Sequence, residues 1–139
     1  MPVDIQITKN NLDIKAAMAW AASGNSGCVN IFIGRVRPSA NERVVRYLEF
    51  EVYSNMAQKE LEKITNTAIK SWNIDKLLVH HREGKVDAGE IPVIIAVSAS
   101  HRRDAIEACQ YVINTLKTTV PIWKKEVFEG GEEWVSAHP

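Results

Sequence analysis

Ile91-Pro92-Val93-Ile94-Ile95-Ala96-Val97-Ser98, leading through Ala99 and Ser100 into His101-Arg102-Arg103, is the stretch that decides the fold. An apolar, β-branched run of this length, ended by small polar residues, reads as a buried strand. Ser100 is a good N-cap for a helix running from His101 to Lys117, whose buried stripe is Ala105, Ile106, Cys109, Val112, Ile113 and Leu116. Pro121 stops that helix, because it lacks the N–H the helix needs and clashes with the preceding turn. Beyond it, Ile122 to Phe128 and Glu133 to Val135 read as a strand pair around Gly130-Gly131.

Working back toward the N-terminus, Lys76 to His81 is another strand, joined to the first by a hairpin-like excursion from Arg82 to Glu90 with turns at Gly84 and Gly89. Asn55 to Trp72 is a helix with Met56, Leu61, Ile64, Ala68, Ile69 and Trp72 on its apolar stripe and Asn73 at its end. Val44 to Tyr53 is a long amphipathic strand, with Arg46, Leu48, Phe50 and Val52 on one face and Val45, Tyr47, Glu49, Glu51 and Tyr53 on the other. Cys28 to Ile33 reads as a buried strand delivering Gly34-Arg35-Val36-Arg37, with Pro38 as its stop. Leu12 to Ala22 is a helix capped by Asn10 or Asn11 and closed by Gly24 and Gly27, after a short strand from Val3 to Ile7. The order βα ββα ββα ββ predicts one α+β domain spanning residues 1–139, with three helices and a mixed, mainly antiparallel sheet. Disorder is expected only at the ends and around Ser39 to Glu42.

Composition narrows function. The 17 basic and 17 acidic side chains cancel, which argues against a nucleic-acid coat, since that role needs a net basic footprint. No apolar run reaches the roughly 18 residues of a membrane span and no signal peptide is evident, so the expected location is the cytoplasm. Cys28 and Cys109 have no ligand or redox spacing around them, so no metal and no resident cofactor is expected.

Three clusters carry chemistry. Arg35 and Arg37, two residues apart at a strand exit, present two permanently charged forks to one side, which suits a phosphate; the plain alternative is a pair of arginines that guards a sheet edge. His101, Arg102 and Arg103 open a helix where the dipole already favours anions, so cations there need a compensating partner unless they are merely solvated. Lys117 in the last helical turn and Lys124 on the following strand converge on one corner, while Trp123 and Lys125 alternate to the other face. A lone lysine there would only complement the helix dipole, but two ammonium groups brought close lower each other's pKa and make proton donors or acceptors. His80-His81 and His138 read as structural or surface residues, and the pairs Glu49/Glu51 and Glu132/Glu133 as a solvent face and a turn. No serine elbow, Walker loop or dinucleotide fingerprint is present.

Taken in order, Gly34-x-Val36-Arg37, Leu48-x-x-x-x-Tyr53-x-x-Met56-Ala57, His81-Arg82-x-Gly84-x-x-x-x-Gly89-Glu90, Ala96-Val97-Ser98-x-x-His101-Arg102 and Leu116-Lys117-x-x-x-Pro121-x-Trp123-Lys124-Lys125-Glu126 resemble the molybdopterin synthase large-subunit family, from Gly34 to Val135. The resemblance implies an α/β-hammerhead type of fold and a sulfurtransferase that converts cyclic pyranopterin monophosphate into the dithiolene of molybdopterin. It also implies a small ubiquitin-like partner whose Gly-Gly tail ends in a thiocarboxylate, and a homodimer of large subunits inside a heterotetramer. Carried onto this chain, Lys117 and Lys124 match the catalytic lysines, and Arg37, His101 and Arg102 match anion-binding residues. Arg35, Val36, Lys125 and Glu126 are expected to line the same pocket, with His101 and Arg102 serving the pocket of the neighbouring large subunit. Pro38 in place of a common asparagine, and the missing glycine before Val44, depart from the family pattern. A non-catalytic module that binds a phosphorylated pterin or a nucleotide, and an inactive dimeric scaffold, are the competing readings.

Overall fold

Every residue of strand β7 (Val93–Ala99) is buried, so both faces of its sheet need cover. The computed structural model describes residues 2–136, and side chains as far as 132. The sheet runs β1 (Val3–Thr8), β5 (Ile74–Arg82), β7, β2 (Cys28–Ile33), with β1 parallel to β5 and the other pairs antiparallel. On one face Leu78, Ile94 and Ala96 meet Ala17 and Ala21 of α1 (Ile14–Ala21). On the other, Leu77, Val79, Ile95 and Val97 pack with α2 (Ser54–Ser71) and α3 (Arg102–Thr119) in the main core.

A second, antiparallel sheet is built from β3 (Ser39–Ala40), β4 (Arg43–Val52), β8 (Ile122–Phe128) and β9 (Gly131–Ser136), with β6 (Gly84–Asp87) also paired to β4. Val45, Phe50, Val86, Ile122 and Phe128 carry it into the same core. The mainly antiparallel strand set is therefore as expected, but divided between two sheets. The 82–90 excursion links them: β5 and β7 belong to the first sheet while β6, between them in sequence, pairs in the second.

Several local expectations are corrected. The cap of α1 is Asp13, whose carboxylate accepts from the Ala16 N–H at 3.0 Å, and not Asn10 or Asn11. Asp13→Ala should lower unfolding stability by about 1 kcal/mol in a denaturant titration, the usual loss for such a cap. On α2, Met56 is 63% exposed and Ala57 is buried in its stead. On α3 the N-cap is His101, not Ser100, and Ile106 lies 48% exposed while Ala108 is buried. On both helices the buried stripe is therefore shifted onto a small alanine.

Along β4 the strict alternation also fails. Val45 and Phe50 are both buried although they differ in parity, because the register slips between Val45 and Tyr47, and an unpaired residue flips every later side chain. Ser39 to Glu42 is not disordered but forms β3 and a tight turn, in which Asn41 and Glu42 take φ values of 52° and 63°. Positive φ at both central residues matches a two-residue hairpin loop. Glycine would suit the second of them better than glutamate does, so the departure from the family pattern is accommodated with local strain.

Candidate active site

Two elements meet at the end of α3. The Val120 N–H closes the helix onto the Leu116 carbonyl at 3.2 Å, and Pro121 turns the chain into β8. Lys117 is left exposed on the last turn, where a cation complements the carbonyl end of the helix. On β8, paired with β4 so that Lys124 lies opposite Phe50, alternation sends Lys124 and Glu126 to one side. Lys125 goes to the other, forming ion pairs with Glu49 at 3.4 Å and Glu132 at 3.6 Å.

A third element completes the corner. After β2 the chain is held by backbone bonds from Gly34 N–H to the Val93 carbonyl and from Val36 N–H to the Glu90 carbonyl, both 2.9 Å, and from Gly89 N–H to the Val36 carbonyl at 2.8 Å. Gly34 is required by the close approach, since a Cβ there would stand 2.5 Å from Val93 Cγ1. Val36 is 1% exposed and belongs to the core. Its burial throws Arg35 and Arg37 outward on either side, and both reach the same cavity.

That cavity, of about 270 Å³, is lined by Arg35, Arg37, Lys117, Lys124 and Glu126. It adjoins an apolar one of about 290 Å³ walled by Phe32, Phe50, Pro92, Val93 and His81, and Arg35, Lys117 and Lys124 border both. Burial holds the Lys124 pKa below the ordinary lysine value; Glu126 pulls it back up, and the like charges of Lys117 and Arg37 press it down further. Lys125 behaves oppositely: burial lowers its pKa, but the contacts with Glu49 and Glu132 outweigh that and raise it. Four cations against one carboxylate give the polar cavity a net positive charge that suits an anion, and a lysine with a depressed pKa can exchange a proton.

The profile of the MoaE protein family matches residues 7–119. The chain belongs to the MoaE family. The molybdopterin synthase catalytic subunit of Pyrococcus abyssi is 40% identical over 125 residues, which make up 90% of this chain and 84% of that protein. The crystal structure of molybdopterin synthase from Staphylococcus aureus aligns with a TM-score of 0.88 at 34% identity, covering 94% of this chain and 95% of that one. A chain from the complex of subunits 1 and 2 of molybdopterin-converting factor from Helicobacter pylori shares the fold, with a TM-score of 0.79 at 24% identity over 100% of this chain and 94% of that one.

Within this MoaE-family chain the remaining residues singled out from the sequence fall into three places. Val36 is in the core and Lys125 on the far face of β8, so neither is brought to the cavity with Lys117. His101 and Arg102 are exposed at the start of α3, and fifteen helical residues at 1.5 Å each separate Arg102 from Lys117 by about 22 Å. A single chain therefore does not bring them together. His138 lies outside the described residues.

The start of α3 is set by Gly27, whose N–H donates to the Ala99 carbonyl at 2.9 Å and whose missing Cβ would lie 2.4 Å from the Ser100 carbonyl oxygen. Gly27→Ala forces backbone to move and should lower stability by about 1–3 kcal/mol, read as a fall in Tm, while displacing His101 and Arg102.

His81 is the wall residue that sequence reading set aside. His80 pairs with Asp4 at 3.0 Å, as befits a structural histidine, but His81 is 1% exposed and borders the apolar cavity. The signal was its parity: His81 shares the core face of Leu77 and Val79, where a polar ring needs a reason.

Proposed function

We propose that the chain is the catalytic subunit of a molybdopterin synthase, transferring two sulfurs from a thiocarboxylated sulfur carrier to cyclic pyranopterin monophosphate to make the molybdopterin dithiolene. The observation that carries this reading is the position of Lys117 and Lys124, delivered by two different elements to the border between a cationic and an apolar cavity. Arg35, Arg37 and Lys117 would hold the phosphate and the charge that develops as the thiocarboxylate attacks, which preorganised cations stabilise best where water is partly excluded. Lys124, with its lowered pKa, would move protons as the cyclic phosphate opens and water leaves. Glu126 opposes that shift, because its charge favours the protonated lysine. No resident cofactor or metal enters this scheme, because the nucleophile arrives on the partner.

The partner is a small ubiquitin-like subunit with a Gly-Gly thiocarboxylate tail; the two-subunit complex from Helicobacter pylori supports such an assembly. The chain acts as one domain of residues 1–139 in a homodimer within a heterotetramer, in the cytoplasm. No helix among the described residues is long and apolar enough to cross a membrane.

The deciding experiment mixes the chain with thiocarboxylated small subunit and cyclic pyranopterin monophosphate and follows dithiolene formation. Absence of product with a competent partner would sink the enzyme and leave a module that binds without turnover. The placement of His101 and Arg102 in the neighbouring subunit's pocket has its own test. Lys117→Ala and Arg102→Ala homodimers should each be impaired, whereas co-expressed hybrid dimers should regain one working pocket; hybrids no better than the two parents would return both residues to their own chain.

A further inference from the structure

The ring of His81 is fixed from several sides. Its backbone is paired to Ile7 on one flank and Val93 on the other, and Phe50 packs against its ring edge-to-face with centroids 5.1 Å apart. Nδ1 lies 2.6 Å from the Arg82 carbonyl oxygen, which can only accept, so Nδ1 carries the proton and Nε2 a lone pair. Nε2 is buried and meets no hydrogen-bonding group among the described residues. Burial favours the neutral ring, with a pKa of about 4.

A buried acceptor without a partner is rare in folded proteins and calls for an explanation. Here it belongs to a ring that borders the apolar cavity, whose other walls at Phe32, Phe50, Pro92 and Val93 offer no side-chain hydrogen bond. The charged groups of that cavity, Arg35, Lys117 and Lys124, stand where it opens into the anion-binding one. Small-molecule sites combine apolar walls with a few placed polar groups that fix orientation, and a neutral imidazole can take only a donor.

We propose that His81 is a reactant-binding residue whose Nε2 accepts a hydrogen bond from an uncharged N–H of the group seated in the apolar cavity, aligning that group with Lys117 and Lys124. The inference rests on the synthase reading given above. An N–H of this kind has two sources there: a glycine amide of the carrier's tail, or a ring N–H of the pterin.

His81→Phe keeps an aromatic ring on Phe50 and deletes the acceptor, whereas His81→Gln offers a new one through its amide oxygen. In the sulfur-transfer assay, with each reactant varied in turn, His81→Phe should raise the KM of one reactant about tenfold while kcat changes far less, and His81→Gln should recover part of the loss. A raised KM for the thiocarboxylated subunit identifies the tail as the donor; a raised KM for the pterin identifies the ring. Unchanged KM for both reactants in folded His81→Phe, with active wild-type protein, overturns the inference and leaves the synthase reading standing. An inactive wild-type protein counts against the synthase reading instead. Nitrogen-15 NMR of the wild-type His81 ring then remains decisive, and also serves where the variants fail to fold. The Nε2 signal should shift when the small subunit or the pterin is added, and a signal indifferent to both overturns the proposal.

Discussion

Replacing Lys124 by alanine is expected to slow dithiolene formation by about 10²–10⁴-fold, the range typical for loss of a positioned proton-transfer group. The fold should survive, because Lys124 borders a cavity and makes no part of the apolar core. Lys124→Arg separates charge from proton exchange: it keeps the cation but is always protonated, so it should bind reactants and still turn over slowly. The pH profile supplies the second arm. Because the Lys124 pKa is depressed, the wild-type rate should change as pH rises through that lowered value, and the change should vanish in Lys124→Arg. A wild-type profile shared by the arginine variant would remove Lys124 from proton transfer. Stability should move the other way. A lysine whose folded pKa lies below its unfolded one binds fewer protons when folded, so its charge penalty is absent above the unfolded pKa and fully present below the folded one. At neutral pH Lys124→Met should therefore raise Tm while abolishing sulfur transfer, the pattern of a site that holds function at the expense of stability.

His81 should account for about 3 kcal/mol of the stability lost in acid. Its pKa falls from 6.5 to about 4, chiefly through burial, with the Nδ1 bond to the Arg82 carbonyl acting weakly in the opposite sense. Above pH 6.5 the ring is neutral in both states and contributes nothing to the pH slope. Between 6.5 and 4 the unfolded chain takes up a proton that the folded chain refuses, so stability declines by about 1.4 kcal/mol per pH unit until the folded ring also titrates. Other groups begin to contribute at the acid end of this window: the carboxylates of Glu90 and Glu107 have pKa values lowered from 4.5, chiefly by backbone and side-chain hydrogen bonds respectively. The informative quantity is consequently the difference between wild type and His81→Phe in unfolding free energy measured from pH 7.5 to 4. The variant should lack that share of the decline. Parallel curves would mean that the wild-type ring is not held neutral in the folded protein.

The helices and strands were legible where one periodicity held without interruption. Cys28–Ile33 and Ile122–Phe128 are observed with the limits read from the sequence, because a β-branched run and a proline leave little freedom at their ends. Boundaries and faces failed where a neighbour decided them. The slip between Val45 and Tyr47 is a property of the β4–β8 pairing and has no signature in β4 alone. Ile106 stays exposed while Ala108 is buried, a choice between two edges of one apolar stripe that helical spacing leaves open.

By itself the sequence determined the α+β order of the three helices and of every strand but β3 and β6, the placement of two lysines on either side of Pro121, and the arginine pair flanking Val36. Each of these follows from local rules of chain geometry, which depend on side-chain spacing within a few residues. Only the tertiary structure decided that the strands divide into two sheets, that Lys125 finds Glu49 and Glu132 as its partners, and that His81 forms part of the cavity wall. Those outcomes depend on pairing between segments distant in the chain, where packing and hydrogen bonding across the core choose among arrangements that local spacing leaves equal.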